Sequence, residues 1–550
     1  MKRTLSLLVA VAMLAATVLS GCGAKPSSAS STAPSASTSA SASASDATSG
    51  SASVTELPKI ENFNPTGYPI VNTPITITGI ISAGAFYGDF NEMTYFKELE
   101  KLTGITIKWD IVTQKPADVY NLMFASQDYR DIACNSINDT LLQGAIDAGD
   151  VYPLDEMINN YAPNWKKFFD GNEYAKKVSV MSDGKLWGFP IVREEPSNVG
   201  IRDQWMICTQ WLDELKLPMP KTTDDFYNVL KAFKANAGKG TIPTDVIPWY
   251  LNFDAYSNGG QFELLNAFGV FTPGNNRYLS VDESGKVVDQ AVNPAIKEPI
   301  KFMNKLYSEG LIPPDAFTGA KSYEATVTSK TPMTGSFTKY FNEDATGKIY
   351  QPMPPLTSPQ NSTPMYRRQT NGYSRNKTII FKQNKHPEAT VRYFDTIADP
   401  DWSVQAMYGM LGEWIDKDGE KYVQRPFEGN EVYANVPGNN LAFLIDPIVS
   451  EKLVYSGAQA TRNETIKNIY APAVVPQERY VPSVVWTTEE LDARKELEPD
   501  YNAYVKKSIA KWITEGGIDA EWDAYLAECE RLGGSKIVGI FQGAVDRFNK

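Results

Sequence analysis

Histidine and cysteine, the residue types that most often catalyse reactions or bind metals, are scarce in this sequence. It holds one histidine, His386, and four cysteines, Cys22, Cys134, Cys208 and Cys529, none of which has CxxC spacing. A catalytic zinc site needs several His or Cys ligands, and a Ser-His-Asp relay would have to use His386 alone. His386 precedes a proline and a glutamate, a pattern typical of a helix start, so we predict that it is a helix-cap residue.

Acidic residues could still supply a pair of catalytic carboxylates, because the chain has 65 of them. Cleavage of a glycosidic bond needs two carboxyl groups facing each other across a cleft, roughly 5–10 Å apart. The adjacent Glu194 and Glu195 do not meet this requirement, since consecutive side chains diverge. A surface glycoside hydrolase or lyase therefore stays an alternative without a motif of its own. We predict that the chain is not an enzyme and uses neither metal nor cofactor.

Length and charge limit the classes of protein that this chain can represent. At 550 residues, with 42% of them hydrophobic, it exceeds what one hydrophobic core usually serves, so more than one lobe is predicted. Asp and Glu outnumber Lys and Arg by 65 to 53, which gives a net charge of -12. Proteins that bind phosphate backbones carry a basic surface. The acidic balance argues against nucleic acid as a partner.

The N-terminal region has the pattern of an export signal followed by a lipid anchor. Two basic residues precede the apolar run 5–19, which is too short to span a bilayer comfortably. The run ends in LSGC at 19–22, which matches the bacterial lipobox and predicts removal of residues 1–21 and a lipid on Cys22. Residues 22–60 are rich in Ser, Ala and Thr, so we predict a disordered tether. The folded body is then held at the extracellular face of the cell membrane, as in Gram-positive bacteria.

Alternation of strand and helix patterns characterises the start of the folded body. Residues 75–81 (ITITGII) predict a strand, a helical pattern follows as far as Gly104, and residues 105–111 predict a second strand. A helix near 117–125 and a strand at 131–134 continue the order, so a parallel sheet covered by helices is predicted. Further helices are predicted after a cap at Thr223, from Asn293-Pro294, from Pro387, and from Tyr501 onward.

Five short segments occur in an order that is specific as a set. They are 120–132 (YNLMFASQDYRDI), 183–190 (DGKLWGFP), 304–312 (NKLYSEGLI), 385–389 (KHPEA) and 408–420 (YGMLGEWIDKDGE). Together with the lipobox and the tether, they resemble the extracellular solute-binding proteins of carbohydrate ABC transporters, in the large Gram-positive lipoprotein group related to LipO. The resemblance covers most of residues 70–550, and Gln127 and Arg130 stand where the family has Gly and Pro.

The resemblance implies a two-lobed α/β fold of the type II periplasmic-binding-protein kind. Each lobe would be a sheet flanked by helices, with the ligand in a cleft between the lobes and closure by hinge motion. Lobe 1 would comprise 61–190 and about 330–400, and lobe 2 would comprise 191–329 and about 401–550. The implied function is capture of an oligosaccharide by a monomer and its delivery to the transmembrane subunits of an ABC permease.

One stretch departs from the family. Many relatives carry a calcium loop of the form DxNxNGxxDEIP after the helix that follows the hinge. The equivalent residues 234–243 read KANAGKGTIP and lack the acidic ligands. Because calcium needs several carboxylate or carbonyl oxygens, we predict that this loop holds no metal.

Sugar-binding sites combine flat aromatic rings with a rim of acids, amides and arginines. The densest such cluster lies at 249–260, and the loop 82–91 follows the carboxyl end of the first predicted strand, where α/β sheets place ligands. Charged and aromatic residues also cluster just past the predicted hinge, at 193–195 and 202–205. Two further clusters lie at 366–368 and 413–414. The candidate ligand-binding residues are Phe86, Tyr87, Asp89, Arg193, Glu195, Arg202, Trp205, Trp249, Tyr250, Asp254, Tyr256, Arg367, Glu413 and Trp414.

Alternatives remain open at this point. Core packing is the competing interpretation for each aromatic residue, and a solvated face is the competing interpretation for the charged ones. Arg193, Arg202 and Arg367 together would suit an anionic sugar such as a uronate, because guanidinium binds carboxylate through two hydrogen bonds. A binding protein for a peptide or a polyol is the alternative to an oligosaccharide receptor.

Overall fold

The computed structural model describes residues 59–194, 200–275, 278–318, 326–327, 331–340, 349–369, 372–427 and 431–550. The predicted signal peptide, Cys22 and nearly all of the predicted tether lie outside the described residues, as does Glu195. Within the described ranges, no helix combines the length and the apolar character that crossing a membrane requires.

Strands and helices are interspersed from the start of the folded body to its end. The strands are β1 (Ile75–Ser82), β2 (Ile105–Val112), β3 (Ile132–Cys134), β4 (Phe189–Arg193), β5 (Gln204–Cys208), β6 (Ile247–Trp249), β7 (Leu279–Val281), β8 (Val287–Asp289), β9 (Thr334–Lys339), β10 (Tyr350–Pro352), β11 (Tyr373–Ile380), β12 (Ile415–Asp418), β13 (Lys421–Gln424), β14 (Phe443–Ile445) and β15 (Leu453–Val454). The helices are α1 (Thr94–Thr103), α2 (Pro116–Ser126), α3 (Asp139–Ala148), α4 (Asp155–Tyr161), α5 (Pro163–Gly171), α6 (Glu173–Ser179), α7 (Thr209–Leu215), α8 (Thr223–Ala235), α9 (Gln261–Ala267), α10 (Lys297–Ser308), α11 (Pro387–Ile397), α12 (Pro400–Tyr408), α13 (Pro447–Ser450), α14 (Gly457–Thr465), α15 (Thr488–Glu515), α16 (Ile518–Arg531) and α17 (Gly534–Phe548).

The first sheet has the strand order β14-β4-β11-β3-β1-β2. Strand β1 pairs in parallel with β2 and with β3, as the sequence predicts, whereas β11 runs antiparallel to β3 and β4. The carboxyl ends of β1, β2, β3, β4 and β14 therefore lie at one edge of this sheet, where β11 begins. We call this edge the carboxyl edge, and it is the place where α/β sheets usually bind ligands.

Three helix ends can be compared with the sequence predictions. Helix α1 ends at Gly104, whose φ of 76° is left-handed and disfavours other residues. His386 occupies the N-cap position of α11, which confirms the prediction for this residue. The cap of α8 is Thr222 rather than Thr223, because the Thr222 hydroxyl accepts from the backbone N–H of Asp225 in a capping box.

The second sheet has the order β10-β5-β9-β6. Its apolar face packs with α8, α9, α10 and the C-terminal helices α15, α16 and α17, which share one hydrophobic core with β5 and β9. A separate core joins the first sheet to α1, α4, α5, α11 and α12. We call the two assemblies the first lobe and the second lobe. Cys134 and Cys208 are buried, one in each core, as predicted.

Strand pairing assigns two segments differently from the predicted lobe boundaries. The resemblance assigns residues 334–352 to lobe 1, but β9 and β10 pair with β5 of the second sheet. It assigns residues 401–454 to lobe 2, but β14 pairs with β4 of the first sheet and α12 packs in the first core. The resemblance places the crossings only roughly, whereas hydrogen bonding between strands fixes them.

Candidate ligand-binding site

A cavity of about 290 Å³ lies where the two lobes meet. Helix α6 and the start of β11 line the cavity from the first lobe. The segment 477–486 lines it from the second lobe, together with residues close to the points where the chain passes between the lobes. Its lining residues are Val178, Tyr256, Asn275, Arg368, Gln369, Tyr373, Arg375, Gln477, Tyr480, Val481, Pro482, Ser483, Val484 and Trp486. This set combines aromatic rings with guanidinium, amide and hydroxyl groups, which suits a ligand with apolar faces and a polar rim.

Trp486 is fixed at the cavity by the start of α15. It directly precedes Thr487, whose hydroxyl accepts from the backbone N–H of Glu490 in a capping box. The Arg494 guanidinium stacks 3.9 Å from the centroid of the Trp486 ring, and Phe541 of α17 contacts that ring edge-on at 4.9 Å. The C-terminal helices thus hold an aromatic side chain in the cavity wall.

A buried carboxylate, Asp203, organises the polar wall. It accepts hydrogen bonds from the Arg202 guanidinium at 2.8 Å, from the backbone N–H of Asn258 at 2.8 Å and from Gln369 Nε2 at 3.1 Å. The Tyr256 hydroxyl donates to the carbonyl of Gln369. Burial raises the pKa of Asp203, although the Arg202 charge and the Asn258 N–H oppose that shift. The network connects the crossing segment at 202–203 with the two cavity residues Tyr256 and Gln369.

Behind Tyr256 lies an ion pair with no exposed surface on either side chain. Arg367 and Glu263 are 2.7 Å apart, and each side chain is 0% exposed. The Arg367 guanidinium also donates to the carbonyls of Pro273 at 3.0 Å and Tyr256 at 2.7 Å. Its carbon lies 5.4 Å from the centroid of the Tyr256 ring. The pair therefore supports the backbone and the ring of Tyr256.

Arg368, the next residue along, is one of two arginines in the cavity lining. Its Nε is buried and has no hydrogen-bond partner among the described residues. The backbone N–H of Arg368 donates to the Tyr480 hydroxyl, which fixes two cavity residues relative to each other. A guanidinium with an unused donor can bind sugar oxygens directly.

Arg375 connects the two lobes across the cavity. It lies on β11 of the first lobe, where its Nε donates to Asp139 Oδ1 at 3.1 Å. From there its Nη1 donates to the Ser483 carbonyl at 3.0 Å and its Nη2 to the Val484 carbonyl at 2.8 Å, both in the segment that packs on the second lobe. One guanidinium therefore lines the cavity and holds its two walls together.

The predicted aromatic cluster divides between cavity and core. Tyr256 lines the cavity, but Trp249 is 0% exposed and packs against Trp205 and Phe226. Trp205 is equally buried, and Tyr250 is 1% exposed. The structure thus contradicts the prediction that Trp205, Trp249 and Tyr250 line the cleft. Trp205 on β5, Trp249 on β6 and Tyr250 directly after β6 all point into the second core.

The loop after β1 carries its candidates at the carboxyl edge of the first sheet. Phe86 is 53% exposed and its ring lies 4.5 Å from that of Tyr87. Both rings contact Tyr433. Asp89 is exposed and accepts from the backbone N–H of Asn91 at 2.9 Å, so it closes a local turn. These residues lie outside the lining of the cavity between the lobes.

The remaining candidates are used within the protein. Asp254 forms a 3.3 Å ion pair with Lys506. Glu413 and Trp414 lie in the turn before β12, where Trp414 packs edge-on against Phe427. The cavity lining includes none of these three residues.

The three arginines proposed for an anionic sugar do not form one anion site. Arg202 is paired with Asp203 and Arg367 with Glu263, so two of the charges are balanced by buried carboxylates. The Arg193 guanidinium lies 5.8 Å from the centroid of the Tyr408 ring in the first lobe. The cavity lining contains Arg368, the neighbour of the predicted residue Arg367.

The loop at 234–243 is closed by hydrogen bonds within the protein. Glu214 accepts from the backbone N–H of Thr241 at 3.1 Å and from its hydroxyl at 2.5 Å, and Lys239 Nζ lies 3.3 Å from Asn236 Oδ1. Across the described residues, no group of three or more His, Cys, Asp or Glu side chains is arranged to hold a metal ion. An ammonium and a neutral amide occupy this loop, a donor set that does not fit calcium.

Several cavity residues were not predicted, although some left a signal in the sequence. Trp486 directly precedes the capping-box sequence TTEE in a stretch without helical or strand period. Tyr373 and Arg375 lie on a strand that the sequence pattern did not identify. Tyr480, Gln477 and Asn275 left no signal, because only the folding of distant segments brings them together.

Comparison with known proteins places the chain in a family. A family model described as "Bacterial extracellular solute-binding protein" matches residues 88–404, more than half of the chain. The chain belongs to this family. This solute-binding protein is 30% identical over 482 residues to the fructooligosaccharide ABC transporter substrate-binding protein FusA of Streptococcus pneumoniae, a match that covers 84% of the chain and 88% of FusA. The Bacillus subtilis lipoprotein LipO is 30% identical over 224 residues, 40% of this chain and 41% of LipO. The predicted resemblance is thereby confirmed.

Solved structures agree with the fold of this solute-binding protein. FusA in complex with kestose has a TM-score of 0.75 at 29% identity, covering 86% of this chain and 99% of FusA. An ABC-transporter-associated solute-binding protein from Bifidobacterium longum infantis, described as "HMO binding", has a TM-score of 0.73 at 21% identity; the match covers 87% of this chain and 100% of that one. These matches confirm the predicted α/β solute-binding fold with two lobes.

Proposed function

We propose that this protein captures an oligosaccharide in the cavity between its lobes and delivers it to the transmembrane subunits of an ABC importer. The observation that supports this most directly is the match to FusA over 88% of that protein's length. FusA is described as a fructooligosaccharide-binding component of such a transporter, and its structure was solved with kestose. The protein binds its ligand reversibly and performs no chemistry on it.

The cavity has the composition that such a ligand requires. Tyr256, Tyr373, Tyr480 and Trp486 supply aromatic surface for the C–H faces of sugar rings. Arg368, Gln369 and Asn275 supply donors and acceptors for the hydroxyl groups around them. A peptide ligand would need partners for a row of backbone amides, whereas most of the lining groups named here are side chains.

The N-terminal pattern supports a lipid anchor. Cleavage after Gly21 leaves Cys22 as the first residue and as the acceptor of the lipid. The Ser- and Ala-rich tether that follows then holds the folded body away from the membrane by a flexible chain. In this arrangement the protein acts as a monomer beside its permease on the outer face of the cell membrane.

Thermal unfolding of the purified protein against a ligand panel tests the function. The panel contains kestose, longer neutral oligosaccharides, galacturonate oligosaccharides, peptides and polyols, each with and without EDTA. A neutral oligosaccharide at a hundred times its Kd is expected to stabilise the protein by about 2.7 kcal/mol. EDTA is expected to leave this shift unchanged, because the loop at 234–243 lacks calcium ligands. Stabilisation by a peptide or a polyol alone, or cleavage of a glycan, would contradict the proposal.

Trp486→Ala is expected to weaken binding of the same oligosaccharide by about ten- to a hundredfold. The change removes an aromatic face from the cavity wall, and burying one large apolar side chain contributes free energy of that order. Trp402→Ala is the matched control, because Trp402 packs edge-on against Tyr95 in the first lobe and does not line the cavity. Isothermal titration calorimetry on both variants measures the difference. Equal affinities would show that the ligand does not contact Trp486.

A further inference from the structure

A polar cluster at the carboxyl edge of the first sheet contains a lysine that lies outside the cavity lining. Lys377 is on β11, two residues beyond Arg375, which lines the cavity. The Lys377 side chain is half-buried, and its Nζ donates to Asn135 Oδ1 at 2.6 Å. Asn135 follows the carboxyl end of β3. The lysine therefore lies at the carboxyl edge of the first sheet, beside the residue that follows β3.

The hydrogen-bonding capacity of Lys377 is mostly unused. An ammonium group has three N–H donors and no acceptor. Among the described residues, Lys377 makes one hydrogen bond and no ion pair. Two N–H groups are therefore available to a partner that the protein itself does not provide.

The neighbours of Lys377 hold its one acceptor in place. Asn135 Nδ2 donates to the Ser82 carbonyl at 2.8 Å and to Asn440 Oδ1 at 3.0 Å, so the Asn135 amide is held on both sides. Asn440 Nδ2 donates to the Pro437 carbonyl at 2.7 Å, and the Asn440 side chain also hydrogen-bonds Tyr87. The network thus runs from Lys377 to the aromatic loop after β1.

We infer that Lys377 is a ligand-binding residue of the first lobe, whose ammonium donates hydrogen bonds to two neighbouring oxygens of a neutral sugar. The inference rests on the proposed function. A neutral sugar suits the site because neighbouring hydroxyl groups on one ring offer two oxygens that can accept both remaining N–H groups. Bound sugar oxygens would accept from the two N–H groups that Asn135 leaves without an acceptor.

The charge of Lys377 gives this inference a distinctive signature. Burial lowers the pKa of Lys377 to about 8. The titratable group that acts on Lys377 is the Cys134 thiol, and burial raises its pKa to about 12, so it stays neutral in that range. Burial also raises the pKa of Tyr87, which the network connects to Lys377, and Arg375, two residues away on β11, is paired with Asp139. Sugar oxygens accept more strongly from the ammonium than from the neutral amine. Binding therefore raises the pKa of Lys377, and affinity is expected to fall as pH rises through about 8.

Calorimetric titration with kestose at pH 7.0 and pH 9.5 tests the inference. Roughly tenfold weaker binding at the higher pH is expected for the wild type, together with proton uptake near pH 8 in buffers of different ionisation enthalpy. Lys377→Met is expected to bind roughly tenfold more weakly at pH 7.0 and to show no pH dependence. Lys377→Arg is expected to bind without pH dependence, because guanidinium stays charged. Lys382→Met is the control, since Lys382 is exposed and packs on Tyr152.

The outcomes separate the inference from the function on which it rests. If kestose is inactive but another neutral oligosaccharide of the panel binds, that oligosaccharide replaces it as the probe. Binding that is independent of pH in the wild type, without proton uptake, overturns the role of Lys377 and leaves the function intact. Absence of binding by every glycan overturns the function and the inference together. Loss of affinity in Lys377→Met without proton uptake in the wild type assigns Lys377 a structural role only, and thermal unfolding reports whether the variant is folded.

Discussion

Arg367→Met is expected to lower the free energy of unfolding by about 3–5 kcal/mol, the cost typical of breaking a buried ion pair. The variant leaves the Glu263 carboxylate buried without its counter-charge. The carbonyls of Pro273 and Tyr256 also lose their donors. Because unsatisfied buried groups keep their full desolvation cost, the loss exceeds what a surface ion pair would give. Urea unfolding of wild type and variant measures the difference.

A double replacement provides the control for this prediction. Glu263→Leu combined with Arg367→Met removes both charges, and buried ion pairs replaced by apolar side chains are often neutral in stability. The double variant is expected to recover roughly 1–3 kcal/mol relative to Arg367→Met alone. Additive losses from the two single changes would show that the pair is not coupled. Because the pair supports Tyr256, the single variant is also expected to bind the oligosaccharide more weakly.

Arg375→Ala is expected to weaken oligosaccharide binding by about ten- to a hundredfold, mainly through faster dissociation. The change removes the two hydrogen bonds that connect β11 to the carbonyls of Ser483 and Val484. These bonds join the lobes in the arrangement described here, which we take as the closed form, so the variant loses stabilisation of this form relative to one with the lobes further apart. A ligand that binds the closed form more tightly then leaves sooner.

Stopped-flow measurement of dissociation and small-angle scattering with saturating ligand test this prediction together. Arg375→Ala is expected to show a larger radius of gyration than the wild type under these conditions. Arg130→Ala is the matched control, because Arg130 pairs with Asp110 and Asp128 within the first lobe. Unchanged dissociation in Arg375→Ala would mean that the bridge between the lobes contributes nothing to ligand retention.

Local patterns predicted the first half of the fold well. Alternating apolar residues at 75–81 and 105–111 and the glycine stop at Gly104 each correspond to an element of the structure. These signals are local, because one buried face and one cap determine each element. The lobe boundaries were not predictable in this way. Whether β9 joins the first or the second sheet depends on pairing with β5, more than a hundred residues earlier in the chain.

The candidate site was predicted less well for a related physical reason. Composition identifies aromatic residues but not the face of the strand on which each one lies. In the cluster at 249–260, Trp249 is on a strand and points into the core, whereas Tyr256 is on the following loop and reaches the cavity. Among consecutive arginines, Arg367 is satisfied by Glu263 and Arg368 is not. Adjacent residues of one type therefore differ in role only through partners that are distant in the sequence, as Glu263 is from Arg367.

The segment 477–486 has a consequence for the order in which the protein becomes active. Half of the cavity lining comes from this segment, and helices α15 and α17 hold its last residue, Trp486, in position. A chain exported with its N-terminus first therefore exposes the whole first sheet before this wall of the cavity has emerged. Such a chain presents half a binding site. The cavity that we propose for the ligand is therefore complete only once α15 and α17 hold Trp486 in its wall.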